Sequence, residues 1–197
     1  MITSQRRRIS PKLQKAQVII VNGAGYDAWA VKAAQSANAT IVNAAAVGGV
    51  NDGENPHVWF SADVRKAVAQ AITEAYEQAD AAKKSDFDKL HDQWKSEENN
   101  VESKIAEVKQ KSDGLAYAAT ESVASYLAED MGLTDATPSG YARATANESE
   151  PTPTDIKQFT DALKAGENQA FGRQYAGGKR ADGQNHECRE IRKRAHG

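Results

Sequence analysis

With 197 residues, the chain has room for one domain or two small lobes, and 40% hydrophobic with 26% charged residues suits a globular fold. A single cysteine, Cys188, excludes an internal disulfide framework and any all-cysteine zinc site. The net charge of −2 is unevenly spread: five basic residues and no acid lie between Arg6 and Lys15, and seven basic and three acidic residues lie from 171 onward, leaving the middle near −11. So acidic a body speaks against a nucleic-acid binder.

In chain order, Gln17-Val-Ile-Ile-Val-Asn22 is a short β-branched run bounded by Gly23 and Gly25, the pattern of a buried parallel strand. Asp27 to Ala37 reads as a helix and Thr40-Ile-Val-Asn43 as a second strand, so the opening segment predicts a right-handed βαβ unit. Ala44 to Asn55 is small and Gly-rich, and is expected to be a loop that delivers His57. Ser61 is placed to cap a helix over Ala62 to Ala79, with Val64, Val68, Ile72 and Tyr76 on one stripe. Ser85 is expected to cap a longer helix from Asp86 to about Lys111, with Phe87, Leu90, Trp94, Val101, Ile105 and Val108 as its apolar face. At 1.5 Å rise per residue this helix is about 40 Å long, enough to brace two lobes.

Gly114 should end that helix. A strand over Leu115 to Thr120, a short helix over Ser122 to Met131, a three-proline loop from Ala136 to Pro153 and a helix opening at Thr154 follow. Phe171 to Gly197 is rich in Gly, Arg and Lys without a hydrophobic period, and is expected to be disordered or loosely packed. No apolar run nears the roughly 20 residues of a membrane span. Met1 to Ser10 is basic but lacks the apolar core of a secretory signal.

Five places offer chemistry. Gly23-Ala-Gly-Tyr-Asp-Ala28 fits a loose dinucleotide-binding turn, or a plain strand-to-helix turn; the acid expected after the next strand is replaced by Asn43. His57 sits behind a stiff Pro56, as a backbone-satisfied loop histidine or as a metal ligand whose other ring nitrogen is tied to an acceptor. Glu121 follows a strand, where ligands of α/β sheets bind, although a carboxylate at a helix start also complements the helix dipole. His91 reads as a partly buried structural histidine, and His186-Glu187-Cys188 as a donor cluster without a scaffold.

Three segments in order carry a resemblance. Leu13-Gln-Lys-Ala-Gln-Val-Ile-Ile-Val-Asn-Gly-Ala-Gly-Tyr-Asp-Ala-Trp29, Asn55-Pro-His-Val-Trp-Phe60 and Ala119-Thr-Glu-Ser-Val-Ala-Ser-Tyr126 are similar to segments of the metal-binding solute receptors of zinc and manganese ABC importers, the adhesin-like lipoproteins. Glu150-Pro-Thr-Pro153 with the helix after it also fits, and the likeness runs from about Ser10 to Ala170. The resemblance implies an α/β fold of two incomplete lobes with short parallel sheets: a partial N-terminal lobe over 1–84, a long linking helix over 85–112 and a partial C-terminal lobe over 113–170. It implies a monomeric binding protein rather than an enzyme, with a zinc or manganese ion as cargo and an importer membrane subunit as partner. It assigns His57 to the family's second histidine ligand and Glu121 to the third ligand, with the first and fourth lacking.

The family is extracytoplasmic, whereas a chain without a signal is expected to stay in the cytoplasm. Residues 171–197 are expected to be an out-of-frame product, checked by translating the gene one base later. The alternatives are a helical interaction module built on Asp86 to Lys111 and a nucleotide-binding enzyme using the Gly23 turn.

Overall fold

The computed structural model describes residues 13–112 and 114–164, together with the backbone of 170–172. The described residues form two compact units, one of residues 13–112 and 123–132 and one of residues 114–122, 133–164 and 170–172. The fold is mixed α/β, mostly helical, with short parallel sheets.

In the first unit, β1 (Val18–Val21) pairs in parallel with β2 (Thr40–Asn43), Val18 beside Thr40 and Val21 beside Asn43. Parallel pairing needs a crossover, and α1 (Ala28–Ala34) provides it. Ile19, Val21 and Ala34 are buried together, with Ala30 and Val31 packed against them. A second cluster joins Ala24, Ala45, Val58 and Val64. The segment after β2, expected to be a loop, begins with a helical turn, α2 (Ala44–Val47). Asn43 caps it by accepting the amide of Ala46 at 3.1 Å, and three good helix formers follow that cap.

The helix α3 (Ala62–Ala79) is capped as expected, with Ser61 accepting the amide of Val64. A 3₁₀ turn, Ala81–Lys83, then leads directly into α4 (Lys84–Ser112), so Ser85 lies inside the helix instead of capping it. The seam between α3 and α4 also departs from the expected stripe. Leu90, Val101 and Val108 are exposed, while Glu98 is the buried polar residue of the described structure. The cause lies on α3, whose side towards α4 carries Arg65, Thr73 and the exposed Lys66. Those groups need polar partners, and Glu98, Glu102 and His91 meet them at 2.6, 2.9 and 3.1 Å. Turning that edge of α4 inward rotates Leu90, Val101 and Val108 outward. Tyr76 stacks on Phe87 at the hairpin end. The short helix α5 (Ser125–Asp130) packs in this unit too, its Asp130 accepting the amide of Ala62.

In the second unit, β3 (Ala116–Ala119) is the central strand, flanked in parallel by β4 (Thr134–Asp135) and β5 (Ala170–Gly172). Ala118 registers with Phe171, so the first two residues of the supposed tail continue a strand. The rest of that tail, including His186, Glu187 and Cys188, lies outside the described residues, as does Gly166. The three-proline segment is not all loop: Pro138 precedes α6 (Ser139–Ala146). Helix α7 (Pro153–Lys164) opens one residue before Thr154. Thr152 is its cap, accepting the amide of Asp155 while its own amide and hydroxyl donate to the Asp155 carboxylate. Tyr141 of α6 lies against the buried Phe159 of α7, ring centroids 4.6 Å apart. Among the described residues, no helix is long and apolar enough to cross a membrane.

Candidate metal centre

The support for His57 begins at the turn after β1. Gly23, Ala24 and Gly25 all take positive φ, at 80°, 50° and 78°. A side chain at Gly23 would meet the Asn43 carboxamide, since a Cβ there would sit 2.0 Å from its Oδ1. The amides of Asn22 and Gly23 donate to the two oxygens of Asp27 at 2.8 and 2.9 Å. The first two amides of the turn are thus taken by a carboxylate of the same segment, which acts as a scaffold. From it, the Asn22 carboxamide donates to the carbonyls of Gly23 and Pro56 at 3.1 and 2.9 Å.

The Asn55–Phe60 hexapeptide is tied at nearly every residue. Tyr126 of α5 donates its hydroxyl to the Asn55 carbonyl at 2.9 Å. Val58 is 1% exposed and fills the second core cluster. Arg65 of α3 donates through Nη1 to the carbonyls of Trp59 and Phe60 at 3.3 and 2.9 Å. Residues 58–60 form a 3₁₀ turn that starts on His57.

The Asn55 side chain fixes the chemistry of the imidazole. Its Oδ1 accepts the His57 backbone amide at 3.1 Å and lies 2.6 Å from ring Nδ1. A backbone amide only donates, so the shared atom must be the carboxamide oxygen. Facing an oxygen, Nδ1 must carry the proton. In the neutral ring the lone pair then belongs to Nε2. The ring packs edge-on against Trp59 and Tyr26, with centroids 5.3 and 6.4 Å away. The acceptor that a ligand histidine requires is therefore its neighbour two residues back. An asparagine directly before Pro-His is a visible signal for such a local turn.

Glu121 lies in the second unit, on the bend that follows β3. Helix α5 begins only at Ser125, so the dipole-complementing role at a helix start does not apply. Its carboxylate and that of Glu150 help hold the Tyr141 phenol above its ordinary range, after the larger effect of burial. His57 belongs to the first unit and Glu121 to the second. His91 Nδ1 lies 3.1 Å from the Thr73 hydroxyl in the α3–α4 seam, the structural place expected of it. Among the described residues no three His, Cys, Asp or Glu side chains converge as a metal cluster. Sequence reasoning missed Asn22, Arg65, Glu98 and Tyr126, whose roles arise from partners 33 to 71 residues away.

A profile of the family described as periplasmic zinc-uptake complex component A matches residues 5–174. No curated protein sequence matches the chain. Among solved structures, the chain resembles a mutant of the laminin-binding adhesin Lmb of Streptococcus agalactiae, with 18% identity, a TM-score of 0.66, and 94% of this chain and 70% of that one covered. It also resembles a manganese-bound mutant of a periplasmic metal-binding protein of Candidatus Liberibacter asiaticus, with 15% identity, a TM-score of 0.64, and 93% and 70% covered. A crystal structure of ZnuA matches with 17% identity and a TM-score of 0.62 over 80% of this chain, which spans 62% of that protein's length. At such identities the likeness establishes the fold.

Proposed function

The chain belongs to the periplasmic zinc-uptake complex component A family, and we propose that it captures a transition-metal ion, zinc or manganese, outside the cytoplasmic membrane as the cargo of an ABC importer. It acts by binding and release, without catalysis, as a monomer whose protein partner is the importer's membrane subunit. His57 and Glu121 are the metal ligands.

The observation that carries this reading is the Asn55 clamp. One carboxamide oxygen holds both the backbone and the ring of His57. That contact presents Nε2 in the tautomer a metal needs, as outer-shell acceptors of ligand histidines do. Glu121 follows the carboxyl end of β3, the end of a parallel sheet where ligands bind. Its anionic oxygen suits manganese, while an imidazole with a carboxylate also suits zinc.

Calorimetric titration with zinc and with manganese tests the assignment. The wild-type chain should bind one ion saturably, and His57→Ala and Glu121→Ala should each weaken binding by tenfold or more, roughly the scale on which metal sites respond to lost support. If the wild-type chain binds neither metal, the proposal fails. If both variants bind like wild type, His57 and Glu121 are not the ligands.

A further inference from the structure

We infer that Glu98, in the middle of α4, is a positioning residue for His57 and acts through Arg65. Arg65 divides its donors between two sets of acceptors. Nε and Nη2 point to Glu98 Oε1 at 3.0 and 2.6 Å, while Nη1 reaches the carbonyls of Trp59 and Phe60. Those two carbonyls belong to the turn that begins on His57, whose own backbone bonds are Phe60 to His57 at 3.2 Å and Ser61 to Val58 at 3.0 Å. The guanidinium is rigid and planar, so fixing one edge on a carboxylate fixes where the other edge points. Glu98 thereby decides where the turn carrying His57 is held.

Packing alone does not set that position. A cavity of ≈ 230 Å³ lies beside the turn, lined by Val58, Trp59, Arg65, Val68 and Trp94 among others. Trp59 itself is 41% exposed. With room on one side, the polar tethers add to what the buried Val58 fixes.

Stability gives no better reason for the pair. The Glu98 and Arg65 side chains are 8% and 21% exposed, and a buried ion pair of this kind is often matched or exceeded in stability by apolar residues of similar volume. What an apolar pair cannot do is hold two backbone carbonyls.

The test uses the full chain with four variants: Glu98→Gln, Arg65→Lys, Arg65→Met, and the double variant Arg65→Met with Glu98→Leu. Two quantities are read beside the thermal midpoint: zinc affinity, and the ¹⁵N shifts of the His57 ring in the metal-free protein, assigned against His57→Ala. In the wild type the shifts should show one tautomer, protonated at Nδ1. Glu98→Gln and Arg65→Met should give mixed tautomers and a loss of about tenfold in zinc affinity, the low end for removing support of a metal ligand. Arg65→Lys, a point charge without the fork, should restore part of the thermal midpoint but not the single tautomer. The double apolar variant should regain the midpoint and leave both the tautomer and the affinity impaired. Ring shifts unchanged in Glu98→Gln, or affinity recovering together with the midpoint in the double variant, would overturn the inference. The affinity arm rests on His57 being a metal ligand, but the shifts do not. A wild-type chain that binds neither zinc nor manganese refutes that ligand role, and the metal-free spectra still decide the positioning role.

Discussion

Asn55 does more for the candidate centre than its size suggests, because one oxygen serves two donors of the same histidine. Removing it as Asn55→Ala leaves a backbone amide and a ring N–H without that acceptor, at a cost of about 1–3 kcal/mol for a part-buried site. The ring also loses the contact that selects its tautomer. The expected result is a lower thermal midpoint and zinc binding weakened about tenfold by calorimetry. Asn55→Asp retains an acceptor for both donors, and should keep the affinity within a few-fold of wild type. If Asn55→Ala binds zinc as tightly as the wild-type chain, the clamp has no part in holding the ligand. The need for such an acceptor was legible from the sequence once His57 was considered as a ligand. Arg65 and Glu98 were not legible, since each is an ordinary charged residue of a helix until the other helix is set beside it. Local periodicity reports which face a residue is on, but not what lies across from it.

Among the elements, those with strong β-branched or capped patterns were read correctly: β1, β2, α3 and β3 lie where the residues placed them to within one or two positions. The misses share a cause. Helices α2 and α6 are short and rich in small residues, so neither shows an apolar stripe over enough turns to separate helix from loop. Half of the expected apolar face of α4, namely Leu90, Val101 and Val108, is exposed because polar side chains on α3 claim part of the seam, while Phe87, Trp94 and Ile105 face inward as expected. Helix α5 contributes one function that no pattern announces: Tyr126 reaches back 71 residues to the Asn55 carbonyl. Burial, and then the charges of Glu54 and Glu129, raise the Tyr126 phenol above its ordinary value of 10.0. The folded state therefore holds this proton more tightly than the unfolded chain does. Its contribution to stability is complete below the unfolded value and is lost as pH rises from there through the raised folded value. Tyr126→Phe removes both the titration and the hydrogen bond. It should cost about 1 kcal/mol at neutral pH, and the decline of stability above pH about 10 should be shallower than in wild type. Tyr141, whose phenol is raised chiefly by burial, remains to give the residual slope. Urea melts at about pH 8 and about pH 10.5 measure both quantities, and equal slopes in the two proteins would remove Tyr126 from the account.

The described residues divide into two units whose described cores are unequal. Among the described residues, the buried apolar side chains of the second unit are Tyr117, Ala118 and Phe159, while the first unit buries Ile19, Val21, Val42, Val58, Val64 and Ile105 with several alanines. Buried apolar area is the main stabilising term, at roughly 25 cal/mol per Å², so the first unit should be the more stable. The α/β class and the parallel strands were readable from the sequence because a buried strand needs only four or five residues to declare itself. The division of the chain was not, because residues 123–132 leave the second unit's run of sequence to pack with the first. That topology provides a clean probe. The three tryptophans, Trp29, Trp59 and Trp94, all belong to the first unit. The 8 residues of α6 and 12 of α7 place helical signal in the second. Unfolding in urea should therefore begin in far-ultraviolet circular dichroism before it begins in tryptophan fluorescence, and the two curves should not superimpose, since separate units depart from two-state behaviour. Tyr141→Ala, which strips the ring from Phe159, should move the early dichroism phase to lower urea and leave the fluorescence midpoint in place. Coincident curves in the wild type, or a fluorescence midpoint that shifts with Tyr141→Ala, would instead mean that the units unfold as one, with the stability of each set by the other.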